Sequence, residues 1–225
     1  CLVSSSSPCA EVGDEALEYA QSLGEGVAWV GSNRRQSAAL AEAAGATVIL
    51  LDDGLQHWRL GRDLDLSLLD RKHGLGNRLV FPAGPLREPL DQLARADGLV
   101  FTGAEPVEPL PPMPLGWPSH KPRFDVRFCL LPPPQLQQEP LVAFCGIGLP
   151  GKFFSALRAC GLQLVATESF PDHHVYAESD LKRLLDLAHA NGARLVTTVK
   201  DGQRLPHRFR QAVTLVPLQV DSASL

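Results

Sequence analysis

The sequence predicts an α/β fold with parallel sheets, arranged in two lobes, and three observations carry that prediction. Apolar strand-like runs alternate with helical patterns along both halves of the chain, the signature of crossover units in a parallel sheet. The run Thr47–Leu51 ends abruptly in two adjacent carboxylates, Asp52 and Asp53, as a buried parallel strand does where it leaves the carboxyl edge of a sheet. The stretch Ala104–Pro122 is dense in proline and divides the pattern in two.

Taken in order, Asp14–Leu23 reads as a helix ended by Gly24, and Val27–Val30 as a short strand. Arg34–Ala44 is an alanine-rich helix stopped by Gly45, followed by the strand Thr47–Leu51. Asp65–Leu69 is a second buried strand, ending in Asp70. A glycine-bearing loop carries Phe81-Pro82-Ala83-Gly84-Pro85-Leu86-Arg87-Glu88-Pro89, then come a helix near Leu90–Ala96 and a strand Gly98–Thr102. Proline lacks an N–H donor and fixes φ, so Ala104–Pro122 forms neither helix nor central strand and reads as a linker. Beyond it lie strands Arg123–Leu131 and Leu141–Cys145, helix Phe153–Cys160, strand Gln163–Thr167, helix Glu178–Ala190 and strand Arg194–Thr198. The organisation expected is therefore a first lobe over 1–103, a linker over 104–122 and a smaller lobe over 123–225.

With 225 residues, 44% apolar and 20% charged, the chain can bury a substantial core. Its net charge of −4 argues against a general nucleic-acid binder, whose footprint is basic. No apolar stretch approaches the roughly 20 residues that a membrane-spanning helix needs. The five cysteines are irregularly spaced and include no C-x-x-C pair, which predicts reduced thiols of an intracellular protein and no zinc site. The opening CLVSSSSPC has neither a basic region nor an apolar core, so it is no signal peptide; it reads as the ragged start of a fragment.

Several motifs carry chemistry. Asp52-Asp53 has the form of a Walker-B element, whose carboxylates manage Mg²⁺ and phosphates; a plain turn or helix cap gives the same pattern. Gly146–Lys152 satisfies G-x-x-x-x-G-K between a strand and a helix. Phe153 stands where Ser or Thr ligates the metal, and Pro150 removes a backbone donor, so the segment reads as a tight turn. Gly13-Asp14-Glu15 places two carboxylates at a helix start, as dipole-capping groups or as a base or ligand for a substrate hydroxyl. Asp172-His173-His174 lies in a loop after a strand, where an imidazole can serve as acid or base; a plain surface loop reads the same. Arg87-Glu88 follows a tight loop, where an arginine can clamp a phosphate and a solvated surface pair gives the same pattern.

In their order, Val12-Gly13-Asp14-Glu15, Leu51-Asp52-Asp53-Gly54-Leu55-Gln56-His57, Phe81–Pro89, Gly146-Ile147-Gly148, Asp172-His173-His174 and Thr198-Val199-Lys200-Asp201 resemble the blocks of the tetraacyldisaccharide 4'-kinase family of Gram-negative bacteria, the lipid A 4'-kinases. D-D-G-x-Q-H with P-A-G-P-L-R-E is the most specific part, and the match runs from about Glu11 to near the C-terminus. The resemblance implies a P-loop-kinase-like parallel sheet with flanking helices, incomplete here, plus a smaller α/β lobe. It also implies a phosphotransferase that uses ATP and Mg²⁺ to phosphorylate the 4'-hydroxyl of the lipid A disaccharide precursor during lipid A biosynthesis. The location implied is the cytoplasmic face of the inner membrane, as a peripheral protein, with no nucleic-acid partner.

Carried over by motif, Asp14 is the base for the sugar hydroxyl, assisted by His173. Asp52 and Asp53 manage Mg²⁺ and the γ-phosphate, with Asp53 counted among the catalytic groups. Arg87 and Glu88 act beside the phosphate loop, Gln56 and His57 line the cleft between nucleotide and sugar, and Glu15 counts with these four among the cofactor-binding residues. The family's G-K-[ST] loop precedes the V-G-D-E block, so it falls outside these residues and the piece alone is expected to be inactive, its membrane-associating segment absent as well. Val199 replaces the family's usual Glu. Two rivals remain at this point: another P-loop NTPase using Gly146–Lys152, and a degenerate, non-catalytic homologue.

Overall fold

A computed structural model describes residues 1–24, 26–71, 73–103 and 117–221. The chain forms two compact units, one made of Cys1–Thr47 with Leu130–Gln219, the other of Val48–Cys129 with Val220–Leu225. Residues 1–47, expected in the first lobe, thus cluster with the C-terminal half. Most of the expected linker, 104–116, lies outside the described residues.

The first unit opens with β1 (Leu2–Val3), α1 (Cys9–Val12), α2 (Asp14–Leu23), β2 (Ala28–Trp29) and α3 (Arg34–Ala43). Here β1 pairs antiparallel with β2. On α2 the buried positions are Asp14, Leu17 and Ala20, a helical spacing. Ala20 joins Val3 and Ala28 in a small apolar cluster. The side chain of Asn33 caps α3 by accepting from Gln36 N–H at 3.3 Å.

The second unit holds β3 (Leu66–Asp70), β4 (Gly98–Thr102) and β5 (Arg123–Val126), all parallel and in that spatial order. Leu99, Val100 and Phe101 of the central strand are buried. The expected helix near Leu90–Ala96 is a 3-10 turn, Leu90–Arg95, and the expected strand Arg123–Leu131 breaks at Arg127 into β5 and β6 (Phe128–Leu130). One expectation fails outright: Thr47–Leu51 is not a strand. No described strand pairs with it, so its backbone has no ladder to join, and Val48 and Leu50 stand 75% and 88% exposed. Asp52 and Asp53 consequently sit in an exposed turn, not at a strand tip.

The remainder of the first unit is β7 (Leu141–Cys145), α4 (Pro150–Ala159), β8 (Leu164–Ser169), α5 (Glu178–Ala190), β9 (Arg194–Thr198), α6 (Val199–Arg204), α7 (His207–Arg210) and β10 (Val213–Val216); β11 (Leu218–Val220) pairs with β6. Its four-stranded sheet, in order β10-β9-β7-β8, is wholly parallel. All five residues of β7 are buried, and the two-residue period of a strand sends them to opposite faces. Leu141, Ala143 and Cys145 meet Phe153, Phe154 and Leu157 of α4. Val142 and Phe144 meet Leu181, Leu184 and Ala188 of α5, with Phe170 and Tyr176. Burial on both faces explains why β7 reads as an unbroken apolar run. The parallel sheets with their flanking helices are the expected α/β class.

Candidate functional site

The first unit assembles a charged cluster at the carboxyl end of β7. Asp14 is the first residue of α2, where the helix's exposed N–H groups favour a carboxylate. His173 sits in the loop after β8 with φ of 55°, a left-handed conformation that histidine tolerates better than most residues. Its N–H donates to Gly146 O at 3.1 Å. Although 159 residues separate them, His173 Nδ1 lies 3.1 Å from Asp14 Oδ2. The imidazole is 52% exposed and the carboxylate 8%, so the ring stands between the acid and solvent.

What brings them together is α6, which sequence periodicity did not predict. Six residues long and containing Gly202, it is too short to show an apolar stripe. Its signature is a cap: Thr198 Oγ1 accepts from Asp201 N–H at 3.0 Å and donates to Asp201 Oδ2 at 2.7 Å. Lys200 Nζ donates to Glu15 Oε1 at 2.9 Å, and Gln203 bonds Gln21 at 2.9 Å; together they dock α2 on α6. Burial pulls down on the Lys200 ammonium, but Glu15, Asp14 and Asp172 outweigh it and hold the group protonated beyond the usual lysine range. Burial, reinforced by Asp14 and Glu15 against the pull of Lys200, raises Glu18.

Beneath the pair lies a buried network. Asp201, fully buried, accepts at Oδ1 from Gly146 N–H (2.9 Å), Tyr176 O–H (2.7 Å) and Arg204 (2.7 Å). Burial together with the Asp201 charge pushes the Tyr176 phenol far upward, so its hydroxyl stays a donor. Arg204 also donates to Gly146 O at 2.9 Å and His174 O at 3.2 Å. His174, stacked on Phe170, turns away from His173 and pairs with Asp180 at 2.9 Å. Of the adjacent histidines, one enters the cluster and the other braces the start of α5.

The Gly146–Lys152 turn joins β7 to α4 as expected, but its first N–H is spent on Asp201 and its first carbonyl on His173 and Arg204. A Cβ at Gly146 would come within 2.9 Å of Pro171 O; the glycine is there for close packing of two loops. A phosphate cradle needs such N–H groups unspent, so the geometry favours a scaffold turn and disfavours the P-loop rival.

In the second unit, Asp53 has φ of 50° and pairs with Arg87 at 2.8 Å, both side chains about two-thirds exposed at 65% and 64%. The loop carrying Arg87 closes through Phe81 N–H to Leu86 O and Leu86 N–H to Leu79 O, at 2.9 and 3.1 Å. Gly84 lies so near Leu79 O that any Cβ would sit 2.3 Å from it. Glu88 pairs with Arg95, whose guanidinium lies 3.8 Å from the centroid of the Trp58 ring. No motif marks Arg95, for which the sequence offers only the i, i+7 spacing from Glu88. Gln56 is exposed and His57 half-buried in the turn after Asp53; His57 O accepts from Arg62 at 2.7 Å. Asp52 and Asp53 offer hard, exposed oxygens, a donor set that suits a cation keeping its water and phosphate ligands. Among the described residues no group of three or more His, Cys, Asp or Glu gathers as a closed metal cage, and no helix is long and apolar enough to cross a membrane.

A family model described as tetraacyldisaccharide-1-P 4'-kinase matches residues 1–224. Curated tetraacyldisaccharide 4'-kinases from Paramagnetospirillum magneticum and Gluconobacter oxydans are 44% and 40% identical, over 96% and 93% of this chain and 66% and 63% of their own lengths. The chain thus spans a little under two thirds of those relatives. The crystal structure of the apo form of LpxK from Aquifex aeolicus in complex with ATP superposes with a TM-score of 0.69 at 30% identity, covering 96% of this chain and 67% of that one.

Proposed function

The chain belongs to the tetraacyldisaccharide 4'-kinase family, and from that premise we propose that the protein transfers the γ-phosphate of ATP to the 4'-hydroxyl of a tetraacylated glucosamine disaccharide 1-phosphate. The observation that carries the reading is the Asp14–His173 pair, an acid–imidazole couple assembled from opposite ends of the chain with its imidazole facing outward.

The sugar hydroxyl oxygen attacks the γ-phosphorus, the bond to the β–γ bridging oxygen breaks, and ADP departs. The hydroxyl proton goes to the Asp14–His173 pair, which acts as one unit. An isolated carboxylate with a pKa near about 4 is a weak base; an imidazole bonded through Nδ1 to a buried carboxylate presents a basic Nε2 and holds the resulting cation beside a negative charge. Glu15, tied to Lys200, stands at the rim of this pair. In the second unit Asp52 and Asp53 would hold Mg²⁺, which when bound neutralises phosphate charge, while Arg87 exchanges Asp53 for a phosphate oxygen. Glu88 holds Arg95 against Trp58 beside that loop, and Gln56 and His57 contact nucleotide or sugar. Phosphoryl transfer depends mainly on such positioning and charge neutralisation.

The residues here contain no G-x-x-x-x-G-K-[ST] sequence, so the nucleotide's phosphate cradle is proposed to come from a further part of the protein, as is peripheral attachment to the cytoplasmic face of the inner membrane. The test is transfer of labelled phosphate from MgATP to the disaccharide by the product of the whole reading frame. Asp14→Asn and His173→Ala should each lower kcat by about 10²–10⁴-fold. Absence of transfer from the intact product, or full activity of Asp14→Asn, sinks the reading.

A further inference from the structure

Arg204 touches Asp14, Asp201, Gly146 and His174 around the Asp14–His173 pair, and nothing in that pair's chemistry names it. Its side chain is 6% exposed. A guanidinium has five N–H groups in a rigid fork, and here they reach oxygens on four separate segments. Asp201 Oδ1 and Gly146 O share one terminal nitrogen, at 2.7 and 2.9 Å. His174 O takes the other at 3.2 Å. Nε lies 3.3 Å from Asp14 Oδ2, without the alignment of a hydrogen bond, and is a buried donor with no hydrogen-bond partner.

These contacts fix both members of the pair. The imidazole hangs from the Pro171–His174 loop. Two carbonyls hold that loop in place, His174 O directly and Gly146 O through the His173 N–H, and both accept from Arg204. The oxygen of Asp14 that meets His173 Nδ1 is the same Oδ2 that faces Arg204 Nε. An orphaned N–H buried 3.3 Å from a carboxylate oxygen is costly to leave unmade, and a small rotation of that carboxylate satisfies it. Asp14 is thereby confined to orientations that keep Oδ2 between its two donors.

We propose that Arg204 is the positioning residue of the proton-accepting pair: one guanidinium, locked by Asp201, sets the separation and orientation of Asp14 and His173. The proposal rests on the reading that this pair accepts the hydroxyl proton, and it adds the group that makes the pair competent. Lysine at this position keeps the charge that neutralises Asp201 but, as a point charge, cannot span four segments.

The test has a structural and a kinetic arm. The His173 Nδ1 nitrogen resonance, read by NMR in the folded chain, should move in Arg204→Lys towards its position in Asp14→Asn. Reciprocally, Asp14→Asn, which leaves Arg204 in place, should shift the Arg204 Nε–H resonance. In the product of the whole reading frame, Arg204→Lys should lower kcat by about 10²-fold, the cost of a misplacement near an ångström, with KM for MgATP changed by less than about threefold. An Nε–H resonance indifferent to Asp14→Asn overturns the proposal even if no Arg204 variant folds; a wild-type His173 resonance with full kcat in Arg204→Lys overturns it equally. If Asp14→Asn itself retains full kcat while the resonances move together, the reading of the pair as the base fails and the coupling stands.

Discussion

In the first unit Asp201 and Arg204 lie almost wholly out of water with both oxygens of the acid bonded, whereas in the second unit Asp53 and Arg87 pair in full view of solvent. The apolar groups differ in the same sense. Three buried clusters, including both faces of β7, belong to the first unit. In the second, Leu66 and Leu68 of β3 and the whole segment 48–50 are exposed. Charges inside a low-dielectric network are held by mutual completeness and cannot be rearranged cheaply. An exposed pair contributes little to folding, so its members can exchange partners at small cost. One unit is built to hold a geometry, the other to change partners.

Three substitutions would break or sharpen this contrast. Asp201→Ala removes the carboxylate that Arg204 hydrogen-bonds in the interior and should cost about 3–5 kcal/mol in denaturant unfolding; a loss below about 1 kcal/mol would erase the distinction. Arg87→Ala should cost less than about 1 kcal/mol in the same measurement. Glu18→Gln should be the smallest effect, at most about 0.5 kcal/mol, and favourable. Its sign follows from the raised Glu18 pKa. The fold prefers the protonated acid, so that contribution is complete below the unfolded value near about 4.3 and is lost as pH rises through the folded one. Gln should therefore stabilise at pH 7 and change nothing at pH 3, as unfolding midpoints at the two pH values would show.

How much of this was legible in the sequence depended on whether the signal was local. α2 and α5 begin and end where turn and capping residues place them, and β4, β7 and β9 match their apolar runs residue for residue. Thr47–Leu51 carries the same kind of run, but a strand exists only against a neighbour, and the run alone could not announce that no described strand pairs with it. Asp14, His173, Asp53 and Arg87 were identifiable by motif, and the structure joins them in pairs; no spacing rule states that residues 14 and 173 touch. Arg204 and Tyr176 stayed hidden because their roles come from burial around Asp201. The block Thr198-Val199-Lys200-Asp201, with its T-x-x-D cap, marked the place without naming either residue.

The first unit is interrupted in sequence: its first 47 residues must wait for Leu130 onwards. At about 5–20 residues per second on a ribosome, the intervening segment of roughly 80 residues delays completion by roughly 4–16 s. Arg204 emerges roughly 190 residues after Asp14, so α2 leaves the ribosome long before the cation that steadies its carboxylate exists. The Asp14–His173 pair therefore gains its Arg204 contacts only after residues 15–203 have been made. A nascent chain that has not yet reached α6 carries Asp14 and His173 without the guanidinium that contacts the Asp14 carboxylate and the Pro171–His174 loop, so those two segments stay unlinked by it until α6 is made.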